Sequence, residues 1–124
     1  MLLDSNILIY RAKAPNSAID SMLTRTDIAV ASVTRIEVLG FHRLSDAHKE
    51  WFETIFEQMR VIGLSEAVVQ RAITLRQHRK MTLADAIIAA TALEHNLTLV
   101  TCNVNDFKNI PGLALIDPFH VPPP

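Results

Sequence analysis

Four acidic residues stand where a solvated surface charge is not expected. Of the 13 acids in the chain, Asp4, Glu37 and Asp85 lie among apolar residues, and Asp106 follows a late apolar run as Asp4 follows the first. Carboxylates about 4 Å apart repel by roughly 4 kcal/mol at an effective dielectric constant near 20, so a converging set needs a cation. Hard oxygen ligands in this number suit Mg²⁺ or Mn²⁺ rather than zinc. Such a site is typical of phosphodiester hydrolysis.

Asp4 is the acid around which the others are expected to gather. The apolar run Met1–Leu3 predicts a buried strand, and Ser5–Asn6 provides residue types that start helices. Ligands of open α/β sheets bind outside the carboxyl ends of the strands, where Asp4 is expected. An unpaired carboxylate in apolar surroundings costs several kcal/mol. Asp4 therefore needs a partner from elsewhere in the chain.

Glu37 and Asp85 each have a structural interpretation beside the chemical one. Glu37 projects from a mostly apolar helical stripe, where it could instead be a core acid paired with Arg35 or Arg43. Asp85 completes a capping box that begins at Thr82, and it could be a helix cap alone.

Space is expected beside Asp85, because the residues one and two turns later, Ala89 and Ala92, are small. Asp106 and Asn103 follow the fourth predicted strand, and each could be only a turn residue. The five histidines show no metal-ligand spacing, and the three glycines form no glycine-rich phosphate loop. The four acids taken together favour a metal site over four separate structural roles.

Strands and helices must alternate along the chain to position these acids. The predicted strands are residues 1–3, 28–31, 61–64, 97–101 and 113–116. The predicted helices begin at Ser5, Ser17, Ser32, Ser45, Ser65 and Thr82. The helix that carries Glu37 is expected to reach about Arg43, and Cys102–Phe107 is expected to be a loop. This alternation predicts an α/β fold with a five-stranded, mainly parallel sheet flanked by helices.

Composition limits the class of protein. The 124 residues predict one domain over 1–120 and a flexible proline-rich tail over 121–124, with 49% hydrophobic and 20% charged residues typical of soluble globular proteins. A single cysteine, Cys102, indicates a reducing, cytoplasmic setting, and we expect no secretion leader and no membrane span. A net charge of -1 means that any contact with nucleic acid must come from a local basic patch.

Four segments in succession resemble the PIN-domain ribonucleases, in particular the VapC toxins of bacterial toxin–antitoxin pairs. The resemblance covers the chain from Leu2 to Phe119, and each motif is weak alone but the four in order are specific. The segments are Leu3-Asp4-Ser5-Asn6-Ile7-Leu8-Ile9-Tyr10, Ser32-Val33-Thr34-Arg35-Ile36-Glu37-Val38-Leu39-Gly40, Leu83-Ala84-Asp85-Ala86-Ile87-Ile88-Ala89-Ala90-Thr91-Ala92 and Leu99-Val100-Thr101-Cys102-Asn103-Val104-Asn105-Asp106-Phe107.

The resemblance implies a Mg²⁺-dependent endoribonuclease, with Mn²⁺ as an alternative ion. It assigns the metal and catalytic roles to Asp4, Glu37, Asp85 and Asp106, with Glu37 completing the site or orienting the attacking water. Supporting roles fall to Asn6, Thr101 and Asn103. It also implies a toxin homodimer, a VapB-type antitoxin that covers the cleft, and structured RNA such as tRNA or ribosomal RNA as substrate.

Contacts with the RNA backbone are expected from basic residues outside the acid set. Many relatives carry a basic residue where this chain has Cys102. The remaining candidates are Arg11, Lys13, Arg76, Arg79 and Lys80, each of which could equally be a solvated helix end.

Two other functions are compatible with parts of the sequence. A haloacid-dehalogenase-like phosphatase also begins with a hydrophobic strand and an aspartate, but it requires a second aspartate where Asn6 stands. A PIN-like binding module without catalytic activity is the non-enzymatic alternative, and the complete acid set argues against it. The aromatic stripe Trp51, Phe52, Ile55 and Phe56 is expected to be core, with a part available to pair subunits.

Overall fold

The computed structural model describes residues 1–119, so the predicted tail at 121–124 lies outside the described residues. Its strands are β1 (Leu2–Leu3), β2 (Ala29–Ala31), β3 (Arg60–Ile62), β4 (Leu99–Val100) and β5 (Leu115–Ile116). Its helices are α1 (Ser5–Lys13), α2 (Ser17–Leu23), α3 (Ser32–Leu39), α4 (Asp46–Glu57), α5 (Glu66–His78), α6 (Leu83–Glu94) and α7 (Val104–Phe107). The predicted α/β class is confirmed.

The five strands form one sheet in the order β3-β2-β1-β4-β5, and every neighbouring pair is parallel. Leu2 pairs with Ala29 on one side and with Leu99 on the other, so β1 lies at the centre. The chain first builds outward from β1 to β3 and then returns to place β4 on the opposite side of β1. The switch point of the sheet therefore lies between β1 and β4, where ligands bind in open parallel sheets.

Both faces of the sheet are covered, because successive strand residues alternate between two core clusters. Leu2, Ala29 and Leu99 pack on one face with residues of α6 and α7. Leu3, Val30 and Val100 pack on the opposite face with residues of α1 to α4. A strand buried on both faces has no polar positions to alternate, which explains why the sequence reads as short continuous apolar runs.

Local boundaries differ from the predicted ones where a polar side chain acts one position earlier. Asp4 itself caps α1, because its carboxylate accepts a hydrogen bond from the backbone N–H of Ser5. Asn16, and not Ser17, caps α2 through the N–H of Ile19. The predicted caps Ser45, Ser65 and Thr82 are confirmed.

Two predictions near the acids are corrected. The helix that carries Glu37 ends at Leu39 and does not reach Arg43. Gly40 follows it, and a Cβ at that position would lie 2.4 Å from the Ile36 carbonyl oxygen. The expected loop after β4 instead contains α7, so Asp106 lies on a short helix.

The aromatic stripe of α4 is mainly core, as predicted. Phe52 and Phe56 are buried, whereas Trp51 and Ile55 are half-buried at the margin of the same cluster. None of the helices within residues 1–119 combines the length and the apolar character needed to cross a membrane.

Candidate active site

The site begins at the carboxyl ends of the two strands that flank the switch point. Asp4 follows β1 directly, and its backbone N–H donates to the Val100 carbonyl of β4 at 2.9 Å. Thr101 follows β4 in the same way, and its hydroxyl donates to Asp4 Oδ2 at 2.8 Å. These two residues are 97 positions apart in the chain. Parallel pairing of β1 with β4 therefore determines their contact.

The Asp4 carboxylate is held in a fixed orientation. Only 3% of the residue is exposed. Oδ1 accepts from the Ser5 N–H at 2.8 Å, while Oδ2 accepts from the Thr101 hydroxyl. Burial raises the pKa of Asp4, and the charge of Asp106 raises it further, while the donors from Thr101 and Ser5 lower it in part.

Glu37 and Asp85 approach Asp4 from the two helices that pack against each other, α3 and α6. Burial raises the pKa of Glu37, which the charges of Asp4 and Asp85 also raise, while the Ser5 hydroxyl lowers it. Burial likewise raises the pKa of Asp85, with contributions from Asp4 and Asp106, while the Thr82 hydroxyl lowers it. The three acids thus lie within electrostatic range of one another.

The surroundings of these two acids differ from the predicted ones. Glu37 is more exposed than an apolar stripe implies, because its side chain lies at the rim of the cleft. No ion pair joins it to Arg35 or Arg43 within residues 1–119. Ala89 and Ala92 do not provide open space beside Asp85, because both are buried in the core against the sheet.

Asp106 reaches the site from α7. It is exposed, and its charge acts on both Asp4 and Asp85. Asn103, the residue before α7, is also exposed, but its backbone N–H donates to the Thr101 hydroxyl at 3.0 Å. The connection from Asn103 through Thr101 to Asp4 is therefore a hydrogen-bonded chain. In this way the predicted supporting residues Thr101 and Asn103 are brought to the first acid.

Among residues 1–119, no basic side chain neutralises this set of carboxylates. Within residues 1–119, none of the four acids forms a salt bridge with a lysine, arginine or histidine. Nor do three or more histidine, cysteine, aspartate or glutamate side chains in this part stand close enough to hold a metal ion. The acids therefore act on one another through their charges without forming a closed set of ligands. Carboxylates are the hard oxygen ligands that Mg²⁺ and Mn²⁺ take, so the chemistry of these four side chains suits a divalent ion, although their arrangement is more open than a closed metal site.

Asn6, the third predicted supporting residue, has polar atoms without partners. Its Oδ1 and Nδ2 are both buried and form no hydrogen bond within the described chain. Ser5 is a residue that sequence reasoning missed, since it was assigned only to the start of a helix. Its N–H and hydroxyl both lie at the Asp4 carboxylate, at 2.8 and 3.5 Å from Oδ1. A serine directly after a strand-terminal aspartate was the available signal.

The predicted RNA-contact residues separate into two groups. Arg11 is engaged with Asp20 and lies 5.8 Å from the centre of the Trp51 ring. Arg79 donates to the backbone carbonyls of Lys108 and Asn109, so its guanidinium holds the segment after α7.

The second group consists of Lys13, Arg76 and Lys80, which are exposed and form no salt bridge among residues 1–119. Lys13 lines the same cavity as Glu37, which brings it to the rim of the site. Arg76 instead lines an apolar cavity between α5 and α6.

Cys102 lies beside the site in place of a basic residue. Burial raises the pKa of its thiol above the ordinary 9.0, and the charges of Asp4 and Asp117 raise it further. The thiol is therefore neutral at pH 7 and brings no positive charge to this position.

Comparison with known proteins places this arrangement in a family. The family model described as "PIN domain" matches residues 1–113. The chain is 31% identical over 130 residues to ribonuclease VapC10 from Mycobacterium tuberculosis, with 98% of this chain and 95% of that protein covered.

Solved structures agree in fold. A toxin–antitoxin complex from Klebsiella pneumoniae superposes with a TM-score of 0.79 at 30% identity, over 97% of this chain and 98% of that one. DNA-bound VapBC from Salmonella typhimurium superposes with a TM-score of 0.83 over 94% of this chain and 96% of that one. Its identity is 22%, so it supports the fold alone.

Proposed function

The chain belongs to the PIN-domain family, and on that premise we propose that it is a divalent-metal-dependent endoribonuclease, the toxin of a VapBC-type toxin–antitoxin pair. One observation carries the proposal: Asp4 is buried at the carboxyl end of β1, the charges of Glu37, Asp85 and Asp106 act on it or on one another, and within residues 1–119 no basic side chain pairs with the four. Acids that raise one another's pKa values destabilise the folded protein when no cation is bound. Their presence at the carboxyl ends of the strands, where ligands bind, therefore supports a role in chemistry.

Asp4, Asp85 and Asp106 would hold Mg²⁺ or Mn²⁺. When bound, such an ion lowers the pKa of a water molecule and stabilises charge that develops on the leaving oxygen. Asp4 is prepared for this role, because both of its carboxylate oxygens already accept hydrogen bonds, so the carboxylate cannot rotate freely. Glu37 is the most suitable group to orient the attacking water, since it lies at the exposed rim and remains within range of Asp4 and Asp85.

The substrate would be structured RNA such as tRNA or ribosomal RNA, with inhibition of translation as the consequence. In-line attack by water would leave a 5′-phosphate on the downstream product. With a net charge of -1, the protein as a whole does not attract RNA. Lys13 is the best-placed of the predicted phosphate contacts, because it lines the cavity to which Glu37 also belongs.

A VapB-type antitoxin and a second copy of this chain are the proposed partners. The Klebsiella pneumoniae relative is a toxin–antitoxin complex, which supports the antitoxin. We also propose a cytoplasmic location, supported by the single cysteine, Cys102.

RNA cleavage by the purified protein tests the proposal. Total RNA is incubated with the protein in EDTA, in Mg²⁺ and in Mn²⁺, and the new 5′ ends are mapped by sequencing. Discrete cuts that carry 5′-phosphates and require a divalent ion are expected. Asp4→Asn should abolish them, because it removes a charge from the proposed ligand set while its side-chain oxygen can still accept the Ser5 N–H.

Glu50→Gln is the matched control, because it removes one carboxylate from the exposed face of α4. It should cut the same sites at the wild-type rate. Cleavage that persists in EDTA, or that survives Asp4→Asn in full, would contradict the proposed function.

A further inference from the structure

One cavity of the structure is lined by Glu37 and by mostly apolar residues. It measures about 300 Å³ and lies between α1, α3 and the turn that leads into α4. Its floor is apolar and includes Ile9, Val38 and Phe52. Glu37 forms part of its wall, so it is continuous with the candidate active site. We call this cavity the side pocket.

The charged side chains of the side pocket lie at its rim. Lys13 and Arg43 line it, and neither forms a salt bridge with residues 1–119. Glu37 is the one acid among its lining residues in the described chain. Phe41 also lines it, with 52% of the residue exposed, on the turn that follows α3. The rim thus combines an exposed aromatic ring with two positive charges against the single negative charge of Glu37.

We propose that the side pocket binds one unpaired nucleobase of the RNA, stacked against Phe41, while Lys13 and Arg43 contact the adjoining phosphates. This inference rests on the proposed function and names the feature of the substrate that the site selects. Proteins that recognise RNA by sequence stack splayed-out bases on aromatic side chains. A cavity near 300 Å³ is at the small end of ligand pockets, which suits one base rather than a duplex.

Position and charge favour RNA over a protein segment as the occupant. Glu37 lines the side pocket and is within electrostatic range of Asp4 and Asp85, so a strand whose scissile phosphate lies at these two acids comes close to the side pocket. The strand supplies an anionic phosphate at every nucleotide, which complements Lys13 and Arg43. An apolar peptide would fill the floor but would leave both cations unpaired.

Abasic substitution in the RNA tests the proposal directly. A hairpin RNA that the wild-type protein cuts is resynthesised with a single abasic nucleotide at each unpaired position in turn. At one position the wild-type kcat/KM should fall about 10-fold, within the range of base–aromatic stacking. Phe41→Ala should cut the intact RNA and that abasic RNA at rates equal within about twofold.

Phe41→Tyr keeps a ring and should retain the abasic penalty. Ile36→Ala is the matched control, because Ile36 is a large exposed residue of α3, the helix that precedes the turn with Phe41, and is not among the residues that line the side pocket. It should also retain the penalty. The loss in Phe41→Ala should appear in KM more than in kcat, since the ring would contact a base and not the reacting phosphate.

Three results would overturn the inference. The first is an abasic penalty that is the same in Phe41→Ala and wild type. The second is the absence of any abasic penalty in the wild-type protein while Phe41→Ala weakens the binding of a VapB-type antitoxin peptide, which would make the side pocket a protein-docking groove. The third is the absence of any cleavage that depends on Asp4, which would remove the proposed function as well and is recognised before any abasic RNA is compared.

Discussion

Two sets of four carboxylates in this chain have the same chemistry and opposite surroundings. One set lies along the exposed face of α4 and consists of Asp46, Glu50, Glu53 and Glu57. The other set is drawn from four separate segments and consists of Asp4, Glu37, Asp85 and Asp106. Water screens the first set, whose members are spaced along one helix. The second set gathers at the switch point of the sheet, where burial and mutual repulsion act together.

The difference shows that the number of acids alone does not identify a site. A run of acids on one helix face is stable without a ligand because each charge is solvated. Asp4 lies between β1 and α1, and Glu37, Asp85 and Asp106 lie on α3, α6 and α7. The fold holds these four acids near one another against their repulsion. Only the second arrangement requires a partner, and the predictions below depend on that contrast.

Loss of catalysis is the largest expected effect. Asp85→Asn should reduce RNA cleavage at least about 100-fold, or about 2.7 kcal/mol of transition-state stabilisation, while the backbone N–H that bonds Thr82 remains. Glu53→Gln should stay within about twofold of wild type. Single-turnover cleavage of a defined hairpin RNA measures both. Equal losses in the two variants would remove the distinction between the two sets.

Metal-dependent stability comes second. Mg²⁺ at about 100 times its dissociation constant should add about 2.7 kcal/mol to the free energy of unfolding. Asp4→Asn should lose most of that gain, and without metal it should be as stable as wild type or more stable, because a repelling charge is gone. Glu50→Gln should retain the gain. Thermal unfolding in EDTA and in Mg²⁺ measures this, and an undiminished shift in Asp4→Asn would exclude a metal at Asp4.

Thr101→Val should cost about 1–3 kcal/mol of stability. The buried hydroxyl donates to Asp4 and accepts from the Asn103 N–H, so both groups lose a partner. Thr91→Val is a matched control, because the Thr91 hydroxyl is equally buried but donates only to the Ile87 carbonyl of its own helix. For Thr91→Val, urea unfolding should show a much smaller decrease in the free energy of unfolding. A similar cost in both variants would deny Thr101 a specific role in holding Asp4.

The pH dependence of stability should be the smallest effect, since Glu37 and Asp85 are partly solvated. A carboxyl group whose pKa is higher in the folded than in the unfolded chain binds more protons when folded. Without metal, the free energy of unfolding should therefore fall as pH rises from the ordinary values of 3.8 and 4.5 through the raised ones.

The exposed pair of Asp27 and Arg25 does not interfere, because the pKa of Asp27 is lowered to about 2 and its contribution is complete above pH 3.8. Urea titrations in EDTA between pH 4.5 and 8 measure the slope. Asp85→Asn should flatten it, and Glu53→Gln should not. A slope of the opposite sign in the wild-type protein would contradict the raised pKa values.

Much of the fold could be predicted because it depends on local chemistry. The caps Ser45, Ser65 and Thr82 each satisfy a backbone N–H three residues later, and such a bond needs no distant partner. The prediction was wrong where two candidates were adjacent, as with Asn16 and Ser17, since propensity alone does not rank neighbours. It was also wrong at Arg43, because Gly40 ends α3 earlier than the apolar spacing suggests.

The sequence names candidate site residues, but it does not predict the hydrogen bonds between them. The sequence singled out Asp4 by its place after a strand, but it did not reveal that the Ser5 N–H and the Thr101 hydroxyl hold the two oxygens. Arg79 was assigned to RNA contact, whereas its guanidinium donates to the backbone after α7. Phe41 was not singled out from the sequence, because its exposed ring depends on a turn after α3 that spacing does not predict.

By itself the sequence determined the alternation of buried strands and helices, and the acids that interrupt them, because both follow from hydrophobicity and hydrogen bonding within a few residues. Only the tertiary structure decided that Asp4 meets Thr101 across 97 positions and that Glu37 stands between an acidic cleft and a basic, apolar pocket. The order of strands in a sheet is set by packing among distant segments, and no local pattern encodes it.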